Sequence, residues 1–127
     1  MLNKYHEGII ALSACLAGEV QRFITKGLYE EAKKCALKYE SCFGKGNYFL
    51  ELQDHGIDEQ RPVNQGVMRI ARETGLPLVV TNDAHYLRKE DAEMQDVLLC
   101  IQTGKTVDDP NRMKFQTEEF YLKSEEE

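Results

Sequence analysis

At 127 residues the chain can form one compact domain, and two ordinary ones would not fit. Its 42 % hydrophobic and 30 % charged residues exclude a disordered or membrane-embedded segment, and sixteen basic against twenty-two acidic side chains leave a net charge of −6. That charge argues against gripping a phosphate backbone, so weak or no nucleic-acid binding is expected of these residues alone.

No apolar run approaches the roughly 20 residues of a bilayer crossing, so no membrane partner is expected. The first residues carry neither a basic leader nor a small-residue cleavage site. Cys15, Cys35, Cys42 and Cys100 are unevenly spaced and contain no C-x-x-C pair, which fits reduced thiols in a cytoplasmic protein.

Residues 8–13, Gly-Ile-Ile-Ala-Leu-Ser, are apolar on both faces, as in a strand covered on two sides. Leu16, Val20, Phe23 and Ile24 then recur at helical spacing, with Gly27 as the stop. Leu28, Ala32, Cys35, Ala36, Tyr39, Cys42 and Phe43 mark the buried face of a longer helix that Gly44 ends. Residues 47–53, bounded by Gly46 and by Asp54-His55-Gly56, predict a second strand.

Asp58 is placed to cap a helix with Val63, Val67, Ile70 and Ala71 as its buried stripe and Gly75 at its end. Gly66 lowers the helical propensity of that stretch. Residues 76–81 predict a third, buried strand with proline only near its start. Residues 89–103 predict a fourth helix with Met94, Val97, Leu98 and Ile101 on one face and Gly104 as the stop. Residues 106–111 read as loop and 119–123 as a short extended segment. Ser124 and Glu127 have the spacing that opens a helix, although a solvated acidic tail fits the same four residues.

Strands alternating with helices imply an α/β fold with parallel strands joined by right-handed crossovers. Three strands are few for a whole barrel, which suggests a piece of a larger protein.

In such folds ligands gather at the carboxyl ends of the strands. The first strand is followed by Cys15, the second by Asp54 and His55, the third by Asp83 and His85. Asp83 and His85 lie two apart on an extended segment, so a cation could meet both side chains. Thiolate, carboxylate and imidazole are all zinc ligands, and the oxygen and nitrogen pair would also accept manganese or iron. Neighbouring strands lie about 4.8 Å apart, so Cys15 and His85 share one metal only if the sheet curls.

Each residue also has a plainer reading. A D-x-H pattern arises by chance, Cys15 can be a small buried thiol, and Asp54 before His55 and Gly56 can simply make a turn. Asp54 and His55 are therefore the second choice for the site. His6 precedes the first strand and reads as a surface residue, while Cys35 and Cys42 read as core. No Gly-rich phosphate loop, nucleophile elbow or H-E-x-x-H is present.

The stretches HEGIIALSACLAGEV, YFLELQDHGIDEQ, LPLVVTNDAHYLRKEDAEMQDVLLCIQTGKTVDDPNRMKF and EFYLKS resemble, in order and spacing, the later part of the PHP domain of bacterial C-family replicative polymerases, the DNA polymerase III alpha subunits. The resemblance implies part of a distorted seven-stranded (βα) barrel with a divalent metal cluster, zinc or manganese, with 1–123 as the later portion of the PHP domain and 124–127 as the start of the following region. The family's cysteine ligand falls on Cys15 and its late aspartate and histidine on Asp83 and His85.

The family's earlier ligands have no counterpart here, and the magnesium-binding carboxylates of the polymerase site are expected beyond residue 127, so no catalytic residue is assigned within the chain. In the longer parent the resemblance implies DNA and replisome subunits as partners. It fits either a 3′ to 5′ exonuclease-like phosphoesterase or a non-catalytic scaffold that docks a proofreading subunit. A barrel lacking strands would expose an apolar edge and self-associate.

Overall fold

Three short parallel strands and the helices that connect them form the N-terminal part of the fold in a computed structural model describing residues 1–127. The chain divides into two compact units. The first comprises 1–54 and 58–81, the second 55–57 and 82–127.

In the first unit, β1 (Ala11–Leu12), β2 (Tyr48–Leu52) and β3 (Leu78–Val80) lie in the order β1-β2-β3, all parallel. Ala11 pairs with Tyr48 on one side of β2, and Leu50 pairs with Leu78 on the other. The expected α/β class and parallel pairing hold, and the sheet is open.

Helices α1 (Glu19–Thr25), α2 (Tyr29–Phe43) and α3 (Gln60–Thr74) connect these strands. Ala32, Cys35, Ala36 and Phe43 of α2 are buried, as are Val63, Val67, Ile70 and Ala71 of α3. They close on Val20, Tyr48, Leu50 and Leu76 to form one core. Tyr39 and Phe43 both stack on Tyr48, with ring centroids 5.5 and 6.5 Å away. The stops expected at Gly27, Gly44 and Gly75 fall just past the three helix ends. Gly66 has a packing reason to be in mid-helix: a Cβ there would lie 2.8 Å from Ile24 Cγ2, so glycine lets α1 and α3 approach.

The second unit is built on α4 (Ala92–Thr103), which follows a single 3-10 turn over Lys89–Asp91 and ends at Gly104. The Arg88 N–H donates to the Asp91 carboxylate at 3.0 Å, capping that turn. Arg112 grips Asp96 with two bonds of 2.5 and 2.7 Å and ties its own loop to the helix. The extended segment near the end makes one parallel bridge, Tyr86 with Tyr121. Glu127 accepts from the Ser124 N–H at 3.0 Å, the contact that the serine and glutamate spacing anticipates.

Four expectations are corrected. Asp58 does not cap α3 through its side chain; the N-cap is Glu59, and the Asp58 carbonyl accepts from the Arg61 N–H. The strand expected over 8–13 is paired only at Ala11–Leu12, and Ile9, Ile10 and Leu12 are exposed. The third strand is not buried, since Leu78 and Val80 face out. On α4 the apolar face of Met94, Val97, Leu98 and Ile101 is exposed, while Leu99 and Cys100 are buried. In the last three cases periodicity identifies an apolar face, but burial needs an opposing surface.

Candidate functional site

In the first unit, the carboxyl ends of β1, β2 and β3 are joined by a buried polar network. Its centre is Glu51, on the middle strand and only 8 % exposed. Glu51 Oε2 accepts from the Ala14 N–H at 3.0 Å, just past β1. Glu51 Oε1 accepts from Gln53 Nε2 at 2.9 Å and, by a short bond, from the Thr81 hydroxyl just past β3. A buried carboxylate is costly unless donors surround it, and here three do.

Cys15 sits in the turn that this network holds. Ala14 adopts a left-handed φ of 68°, a conformation that side chains disfavour and surrounding contacts must impose. Those contacts include Gln21 of α1, whose Nε2 donates to Ser13 Oγ at 2.7 Å and to the Ala14 carbonyl at 2.9 Å. Ser13 Oγ in turn accepts from the Glu51 N–H at 2.8 Å. Gly18 closes the turn by donating to the Cys15 carbonyl at 2.8 Å. A Cβ on Gly18 would lie 2.2 Å from the Ser13 carbonyl oxygen, so only glycine fits.

Cys15 is half-buried at this strand end. Cys35 is different: burial among α1 and α2 pushes its thiol up to about 11, as suits a packing residue. Asp54 is exposed in the first unit, and His6 is tethered through Nδ1 to the Leu2 carbonyl, 3.3 Å away.

In the second unit, Asp83 Oδ1 and His85 Nε2 are 3.6 Å apart, with both side chains about two-fifths exposed. Ligands of one zinc lie at most about 4 Å from each other, given bonds near 2.0 to 2.2 Å, so this pair can share a cation. Asp83 has a left-handed φ of 44° and lies past the end of β3, so the extended segment expected to carry Asp83 and His85 is not formed, although the two side chains still meet. The His85 N–H donates to the Phe120 carbonyl at 2.8 Å, and its ring packs against Phe115 and Phe120 at 4.8 and 5.8 Å.

His55 sits in the same unit but is only 1 % exposed. Its ring stacks on Phe120 at 4.1 Å, and its Nε2 donates to the Asn82 carbonyl at 2.7 Å. The Thr117 hydroxyl donates to the His55 carbonyl at 2.7 Å. His55 thus anchors the residue next to Asp83. Of the expected candidates, Asp83 and His85 are brought together, His55 backs them, and Asp54 and Cys15 belong to the other unit. Neither unit gathers three or more His, Cys, Asp or Glu side chains as a closed metal site would.

Sequence reasoning missed Glu51, Gln21 and Phe120. Glu51 carried a signal: a lone carboxylate inside an apolar strand must find donors or stay out of the core. Phe120 carried none, because its partners His55 and His85 lie far off along the chain, and Gln21 reads as an ordinary polar residue of α1 although it bonds Ser13 and Ala14 only eight and seven residues away.

A family model described as the PHP domain matches residues 1–55. The DNA polymerase III subunit alpha of Treponema pallidum is 51 % identical over 126 residues, 99 % of this chain and 11 % of that protein. The proteins of the same name from Borreliella burgdorferi and Deinococcus radiodurans are each 46 % identical, over 99 % and 100 % of this chain and 11 % and 9 % of their own lengths. The chain therefore spans about a tenth of the curated relatives it matches.

Proposed function

The chain belongs to the PHP-domain region of the DNA polymerase III alpha subunits, and on that premise we propose that it serves DNA replication within a much longer polymerase, contributing to a metal-dependent phosphoesterase site of 3′ to 5′ exonuclease character. The observation that carries this reading is the Asp83 and His85 pair, whose 3.6 Å separation suits one cation.

Asp83 and His85 would hold a divalent metal, zinc or manganese, and Cys15, at its own strand end in the first unit, is a candidate thiolate ligand. A bound cation would supply an activated water and neutralise charge on phosphoryl oxygens. The residues around the pair have their own tasks. Phe115 and Phe120 fix the plane of the His85 ring, and His55 holds Asn82 so that the Asp83 carboxylate stays turned toward it. Any DNA and replisome partners would be met through the longer polypeptide, as would the magnesium-dependent polymerase chemistry.

A second reading fits the same family match. On that reading the region is a scaffold that braces the polymerase and docks a proofreading subunit.

One experiment separates the two. The longest native polypeptide carrying this sequence is purified without chelator, its metal is measured by elemental analysis, and exonuclease activity is assayed beside a His85→Ala variant. The phosphoesterase reading expects metal affinity to fall by at least about tenfold, since even contacts that only support a ligand are worth 10- to 100-fold, with nuclease activity falling alongside. Metal loss without any nuclease to lose supports the scaffold. A protein that binds no metal and does not respond to added zinc or manganese removes the phosphoesterase reading.

A further inference from the structure

We propose that Glu51 is a positioning residue: its carboxylate locks the turn bearing Cys15 and the carboxyl end of β3 at Thr81 into one arrangement. The inference rests on the reading of Cys15 as a metal ligand, and it assigns a role to a residue outside the proposed ligands.

Three donors converge on this single side chain: the Ala14 N–H, the Gln53 amide and the Thr81 hydroxyl. Ala14 immediately precedes Cys15, and Thr81 lies two residues before Asp83. A carboxylate offers two oxygens and no hydrogen, so it can accept all three. A carboxamide of the same shape cannot, because one of its two ends donates. Either the Ala14 N–H would then face another donor in a buried setting, or the Gln53 amide must turn over to offer its oxygen and the Thr81 hydroxyl must accept, so the present set of bonds is lost either way.

The network is arranged for what its donors hold. Gln21 and Gln53 are 2 % and 7 % exposed, yet the carbonyl oxygen of each has no hydrogen-bond partner. Their amide groups are engaged instead, Gln53 on Glu51 and Gln21 on Ser13 and the Ala14 carbonyl. A sheet needing only stability would place apolar side chains here. Leaving two amide oxygens unmatched around a fixed carboxylate makes sense if the geometry of the Cys15 turn, with Ala14 at its left-handed φ, is what is being kept.

The test uses the longest native polypeptide, with Glu51→Gln and the milder Thr81→Val. Two quantities are measured beside thermal melts. One is the alkylation rate of Cys15 by iodoacetamide in chelator-treated protein, read by peptide mass mapping with half-buried Cys42 as internal reference. The other is zinc affinity, by competition with a chromophoric chelator.

In Glu51→Gln, Cys15 labelling is expected to rise several-fold while Cys42 stays unchanged, and zinc binding to weaken by about 10- to 100-fold. Thr81→Val should weaken zinc binding less and leave the fold intact. Folded Glu51→Gln with wild-type Cys15 labelling and zinc affinity would overturn the proposal, and so would equal acceleration at Cys15 and Cys42, which marks general loosening. If Glu51→Gln does not fold, Thr81→Val decides, with wild-type zinc affinity counting against. If the unmodified protein binds no zinc, the metal reading fails by itself and the Cys15 rate alone judges Glu51.

Discussion

Glu73, on α3, lies between Lys33 and Arg69, with contacts of 2.8 Å to each. Hydrogen bonds from those two cations hold its carboxyl at about 2, well below the ordinary glutamate value of 4.5. A carboxyl depressed in the folded state adds stability that is complete above its unfolded value and lost as pH falls toward the folded one. Glu73→Gln should therefore melt lower than the parent at pH 7, with the difference shrinking below pH 4.5 and vanishing near pH 2. The group is exposed, so the difference should be modest and smaller in high salt. Thermal melts of both proteins across that range check it. At this scale sequence reading had uneven reach. Asp83 and His85 were legible from their place just past the third strand, but the extended segment expected to align them is absent: the strand ends at Val80 and Asp83 is left-handed. The duty of His55 was not, because it depends on Phe120 and Thr117, more than sixty positions away.

Among the elements, the meeting of α1 and α3 depends on Gly66. Alanine in mid-helix is ordinarily favoured over glycine by about 1 kcal/mol. Here a Cβ would lie 2.8 Å from Cγ2 of Ile24, a β-branched side chain with little freedom to move aside. Overpacking of this kind costs about 1–3 kcal/mol, so Gly66→Ala should destabilise by roughly 1 kcal/mol despite the better propensity. Combining it with Ile24→Ala should be less harmful than the sum of the two, and urea unfolding of all four proteins measures that coupling. The helices were readable because their apolar faces repeat at 3.6 residues and glycine marks their ends. The interface was not: in the sequence Gly66 reads as a weakness, and its purpose exists only where another helix lies against it.

For the whole molecule, the apolar surface left uncovered is the dominant feature. In the first unit Val80 is 75 % exposed on edge strand β3, and in the second Ile101 is 72 % exposed beside Met94 and Leu98. An edge strand with outward apolar side chains invites pairing with another chain. Light scattering of the 127-residue polypeptide should show association that grows with concentration. Val80→Lys together with Ile101→Lys should suppress it without lowering the melting temperature by more than a few degrees. The parallel pairing was legible from the alternation of strands and helices, whereas the strand order was not. Which faces would be covered was not, since hydropathy reports what a face prefers and says nothing of whether a neighbour is there.

His55, Gly56 and Ile57 count with the second unit although the residues on both sides of them build the first. That detour has a consequence for dissection. A peptide started at Asn82 would carry Phe120 and Thr117 but neither the ring that covers the one nor the carbonyl that receives the other. The C-terminal half is thus a lock whose key is cut from the middle of the chain, and it can close only after translation has joined positions 62 apart in sequence.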